Sequence, residues 1–91
     1  MAQSGRKTVT TAGAQESLVA ASQIVNGPVA IKAIWNNSDV VFVGDSTVSS
    51  ANGYELSAKE EIIIPFVGDL INIWIDSAID GEGVTWLALN Y

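Results

Sequence analysis

The sequence contains no cysteine and no histidine, and only two prolines in 91 residues. Without cysteine there is no disulfide to staple the chain, and no thiolate for redox or nucleophilic chemistry. Without histidine, Ser-His-Asp and Cys-His catalysis lose their general base, and a structural zinc site loses its usual ligands. No GxxxxGK[ST] loop occurs and no GxGxxG follows a strand-like segment, so the phosphate cradles of nucleotide enzymes are missing. The expectation is a protein that is not an enzyme and that carries no cofactor.

Positive charge is scarce too. Four Lys and Arg stand against ten Asp and Glu, for a net charge of −6. Arg6 and Lys7 hold half of that positive charge, and beyond them only Lys32 and Lys59 offset the carboxylates. A body of that sign repels a phosphate backbone, so no nucleic-acid partner is expected. The longest apolar run, around 62–67, is interrupted by Pro65 and falls far short of the ~20 residues that span a membrane. The start, Met-Ala-Gln-Ser-Gly-Arg-Lys, lacks the apolar stretch of a signal peptide. Neither a membrane partner nor secretion is expected, and the chain reads as used where it is made or assembled into something there.

What the chain does have is apolar, β-branched residues: 48% of it is hydrophobic, with ten Val and ten Ile. They fall in short runs separated by turn signals such as Asn26-Gly27-Pro28, Asn36-Asn37-Ser38-Asp39 and Asn52-Gly53. No helical crossover long enough for a parallel sheet is present. The pattern predicts an all-β fold, a small antiparallel β-sandwich or jelly roll of about eight short strands. Residues 1–7 read as a flexible, extended N-terminal arm and residues 8–91 as the sandwich domain. Alternation places Val29, Ile31, Ala33 and Trp35 on one face of a strand, and Ile71, Ile73 and Ile75 on one face of a strand over 70–75.

Several strands are apolar on both faces: Val40–Val43, Ile62–Ile64 and Val84–Tyr91. A chain of this length buries only ~63% of the surface its unfolded form exposes, and has few elements with which to cover two faces. Oligomerisation is the remaining route to stability. Trp74, Leu87, Leu89, Tyr91 and Phe42 are the expected subunit-interface residues. The alternative is that the chain's own loops or its N-terminal segment cover the second face.

Other clusters admit both a functional and a plainer role. Asp76, Asp80 and Glu82 put three carboxylates within seven residues near Gly81 and Gly83, which raises calcium, but the spacing of an EF-hand loop is not met. The expectation there is a solvated turn and no metal. Glu60-Glu61 reads as a solvated strand entrance. Trp35, Trp74 and Trp86 would suit a glycan-binding module if two or three shared an open face; the simpler expectation is core or interface.

The block Gly44-Asp-Ser-Thr-Val-Ser-Ser-Ala-Asn-Gly-Tyr54 follows a Val-Phe-Val strand and is echoed by Gly81-Glu-Gly-Val84 before the last strand. With the body from Gly27 to Tyr91, it resembles small virion structural proteins of tailed bacteriophages, of the capsid decoration (cement) or fibre-associated kind. The resemblance implies a β-sandwich subunit on the capsid surface of the virion, made in the host cytoplasm. It further implies a homo-oligomer, as a trimer, that clamps neighbouring capsomers through the major capsid protein or another virion protein. A head-fibre or tail-fibre component is the alternative in the same class. In that setting the arm would gain order on binding, with Arg6 and Lys7 meeting acidic coat surface.

Overall fold

Residues 2–65 and 68–89 are described by a computed structural model, and within them ten short strands pair antiparallel throughout. They are β1 (Ala2–Thr8), β2 (Glu16–Ser17), β3 (Ile24–Val25), β4 (Val29–Ala33), β5 (Val41–Gly44), β6 (Tyr54–Leu56), β7 (Glu61–Ile64), β8 (Gly68–Asp69), β9 (Trp74–Ser77) and β10 (Gly83–Leu89). The first strand pairs with the last, and the match continues inward: β1 with β10, β2 with β9, β3 with β8, β4 with β7, β5 with β6. The partners Ala2↔Leu89, Glu16↔Ile75, Ile24↔Asp69, Val29↔Ile64 and Val41↔Leu56 trace one ribbon, doubled back between β5 and β6.

Two further pairings, β10 with β4 and β5 with β9, roll this ribbon into a closed body. The first sheet has the order β1-β10-β4-β7, and the second β2-β9-β5-β6. The pair β3-β8 lies where the ribbon returns from the second sheet to the first. Eight strands in these two orders form a jelly roll, so the expected all-β sandwich is what the chain folds into.

The core lies between the sheets and follows the period-two alternation of the strands. From the first sheet come Val29, Ile31 and Ala33 of β4 and Val84, Trp86 and Ala88 of β10. From the second come Val41 and Val43 of β5, Leu56 of β6 and Ile75 of β9. Gly5 lets the Trp86 indole lie across β1, since a Cβ there would sit 2.8 Å from the ring. Trp35 leaves the stripe it was expected to share: β4 ends at Ala33, and the indole is 69% exposed. The strand expected over 70–75 begins instead as a 3-10 turn, Leu70–Asn72, capped by Asp69, whose Oδ1 accepts from the Ile71 amide at 3.1 Å. That turn places Leu70 wholly in the core.

The expected flexible arm is corrected. Residues 2–8 are β1, an edge strand in register with β10 from Ala2↔Leu89 to Thr8↔Gly83. Its polar sequence hides it, but β10 offers it a full row of backbone donors and acceptors, and Val9, wholly buried, anchors its end. The Val9 amide donates to Glu82 O and Val9 O accepts from the Gly81 amide, both in tight bonds of 2.8 and 2.7 Å.

Candidate contact surface

The outer faces of the two sheets have different fates. On the second sheet, Phe42 points outward yet is only 5% exposed. The ribbon's tip, residues 45–53, folds back over it. Gly53 touches Phe42 so closely that an added Cβ would lie 2.4 Å from the phenylalanine Cβ, and Val48 is buried beside both. The Gly44–Tyr54 block is therefore a lid on its own sheet, held by turn chemistry. Asp45 Oδ1 accepts from the Thr47 amide and hydroxyl at 2.8 and 2.6 Å, and Asn52 Oδ1 accepts from the Ser49 amide at 2.8 Å. Phe42 was expected at a subunit interface; it is instead sealed beneath the protein's own loop.

Beside this lid lies the loop at residues 10–15, joined to it by Gln15, whose Nε2 donates to Ser46 O at 2.9 Å. This loop covers Asp76, which is also buried on the second sheet's outer side. The Asp76 carboxylate accepts from the Gly13 amide at 3.0 Å and the Ser77 amide at 2.8 Å. Asp80 accepts from the Ala12 amide at 2.7 Å. Glu82, also buried, accepts from the amides of Ser38 and Asp39 and from the Ser38 hydroxyl. The three carboxylates thus serve three separate loop sites, and among the described residues no acidic group converges as a metal cage. The solvated turn expected here is partly a buried one.

This use of acid is general. Glu16, Asp39, Asp45, Glu60 and Asp69 likewise accept from backbone amides, at Thr10, Val40, Thr47, Ser57 and Gln23. Long loops in a small β protein leave many amides without ladder partners, and carboxylates supply them. Three of these groups are held below the ordinary carboxylate range. For Glu16 the leading cause is the Lys7 ammonium, then the Thr10 amide. For Asp45 it is the Thr47 hydroxyl, and for Asp69 the Ser22 hydroxyl followed by the Gln23 and Ile71 amides.

The outer face of the first sheet has no such cover in the described chain. Cross-strand registers assemble two rows on it. One is Ser4–Leu87–Ala30–Ile63 and the other Arg6–Thr85–Lys32–Glu61, each written from β1 through β10 and β4 to β7. Ile63 is 63% exposed and Leu87 44% exposed, and Lys32, Glu61, Ser4 and Arg6 are exposed as well. A shallow depression between the rows is lined by Ala30, Lys32, Glu61, Thr85 and Leu87. Leu87 and Ile63, in one row with Ala30 between them, form an apolar patch, which scattered side chains do not.

Of the expected interface residues, Leu87 lies in this patch. Trp74 is half-buried on the second sheet, opposite Gly44 and Ser17. Leu89 pairs with Ala2 at the end of β10. Tyr91 lies outside the described residues. Arg6 is exposed in the second row, but Lys7 points the other way, toward Glu16 at 2.8 Å. The tryptophans occupy three different places: Trp86 in the core, Trp74 on the second sheet, and Trp35 beyond β4 in a groove with Arg6, Lys32 and Thr85. Ile63 belongs to the Ile62–Ile64 run whose two apolar faces the sequence shows, but three consecutive isoleucines hide which one faces out; Ala30 and Ser4 carry no such signal.

No protein-family model, curated protein or solved structure matches this chain.

Proposed function

We propose that the chain is a non-enzymatic structural subunit of a tailed-bacteriophage virion, a capsid decoration protein that oligomerises on the head surface. It meets further copies of itself through the outer face of the first sheet, and its other partner is the major capsid protein. The observation that carries this reading is the bare row containing Leu87 and Ile63. A small jelly roll that covers one sheet with its own loops and leaves the other open has that face to offer a partner. The lack of cysteine and histidine supports a binding role, and the resemblance of residues 27–91 supports the virion setting.

The test is made on particles of the phage that carries the gene. Mass spectrometry of purified virions should find the protein in many copies with the head. Particles lacking it should rebind the purified protein, while a folded Leu87→Asp variant stays in solution. Absence of the protein from virions contradicts the setting; normal rebinding of Leu87→Asp contradicts the surface.

A second reading, a glycan-binding module, is favoured by Trp35 alone, since its exposed indole shares a groove with Arg6 and Lys32. Titrating tryptophan fluorescence with a sugar panel tests it: a saturable change lost in Trp35→Ala supports it, and a flat response removes it.

A further inference from the structure

The two rows on the first sheet have an internal order that bears on which partner fits them. Across the sheet the polar row reads cation, hydroxyl, cation, anion: Arg6, Thr85, Lys32, Glu61. The other reads small, large, small, large: Ser4, Leu87, Ala30, Ile63. Both rows become complementary to themselves when reversed. We propose that a second copy of this chain docks face to face on this surface, about a two-fold axis that runs along the strands between β10 and β4. The proposal rests on reading this face as the contact surface, and names its first occupant.

Such an axis reverses the order of each row and keeps the rows in line. Arg6 then faces Glu61 of the second copy, and Glu61 faces that copy's Arg6. Thr85 faces Lys32. In the apolar row Leu87 stands over Ala30 and Ile63 over Ser4, so each large side chain meets a small one. Two sheets packed at the usual ~10 Å need this alternation to interdigitate. A two-fold contact is isologous, so each favourable pairing occurs twice.

Charge supports a second copy in particular. Two chains of net charge −6 repel each other over most of their surfaces. Most carboxylates are turned to loop amides, and among the row residues two cations accompany one anion. Lys32 and Arg6 form no ion pair among the described residues, and Glu61 accepts no amide there. Each copy therefore brings a small net positive charge in this row, opposite in sign to the rest of the chain, and the two Arg6–Glu61 pairings across the axis offset it. Four strands make it only ~14 Å across, a small face for a stable interface, so the free protein should associate weakly.

The test is a charge-swap cycle read by sedimentation equilibrium on the full chain. Arg6 and Glu61 lie on opposite edges of one sheet, three strand spacings apart, so they have no means of compensating each other within a single copy. Arg6→Glu should weaken dimerisation about tenfold or more, because it places like charges together at two points. Glu61→Arg should do the same. The double variant Arg6→Glu with Glu61→Arg should restore dimerisation to within a few-fold of the original. Thermal melts check that each variant is folded; if Arg6→Glu is not, Arg6→Gln with Glu61→Gln reads the same contact. Dimerisation that the double variant fails to recover overturns this register, while loss of association in Leu87→Asp would still leave the face in use. A wild-type trimer, or a monomer at all concentrations, overturns the two-fold contact itself.

Discussion

Lys7 on β1 and Glu16 on β2 meet at 2.8 Å, and their bond joins the edge of the first sheet to the edge of the second. The same carboxylate accepts from the Thr10 amide at 2.7 Å, so one side chain closes the sandwich edge and fixes the start of the loop that covers Asp76. Lys7 is consequently a fastener within the fold, and Arg6, one residue earlier, points to the open face.

Acid should loosen the molecule in a defined window. The folded-state pKa of Glu16, Asp45 and Asp69 is depressed, so each contributes stability above its unfolded value, 4.5 for Glu16 and 3.8 for the aspartates. That contribution is lost as pH falls through those values and below. Melting temperature should be nearly flat from pH 7 to about 5.5 and decline steadily from about 5 to 3. Glu16→Gln should lower the plateau and shrink the decline. A melting temperature unchanged down to pH 3 contradicts this.

Glu82→Ala should cost about 2 kcal/mol in urea unfolding, because it strands the amides of Ser38 and Asp39 in a part-buried site. The loss should leave the denaturant slope unchanged. A change within 0.5 kcal/mol, about that of an ordinary surface substitution, would show that water replaces the carboxylate freely.

Gly83→Ala should detach β1. A Cβ at Gly83 would lie 2.0 Å from Lys7 O and 2.6 Å from Thr8 Cα, contacts that only movement of the backbone can relieve. The expected cost is about 3 kcal/mol. Hydrogen exchange at the amides of residues 4–8 should accelerate more than at β5. Equal protection in both would mean that β1 accommodates the methyl group.

Much of the core was legible in the sequence, because alternation is local. Val29, Ile31 and Ala33 share an inward face as their spacing implies, and so do Val84, Trp86 and Ala88. The pairing Ala2↔Leu89 is not local at all, and Ala-Gln-Ser-Gly-Arg-Lys-Thr has the composition of a loose end, so in the sequence alone β1 resembles an arm. Phe42 misled for a related reason. A strand apolar on both faces signals a second cover, but only the close approach permitted at Gly53 shows that the cover is the ribbon's own tip. The outward face of Leu87 is legible because its strand alternates around large residues, whereas within Ile62–Ile64 identical neighbours hide which isoleucine faces out.

Phe42 and Leu87 should therefore separate stability from association. Phe42→Ala should destabilise the fold by about 3–5 kcal/mol while its folded fraction associates normally. Leu87→Ala should melt within a few degrees of wild type and associate more weakly. The reverse pattern in paired thermal and sedimentation measurements would move the contact surface to the second sheet.

The most direct test of the open first sheet as the contact surface is an amide NMR dilution series on the wild-type protein. Concentration-dependent shifts are predicted at Ser4, Arg6, Ala30, Lys32, Ile63, Thr85 and Leu87, with residues 45–53 and Phe42 unmoved. Shifts centred on the 45–53 lid, or spectra identical from about 10 μM to 1 mM, a range that brackets weak association, would contradict it.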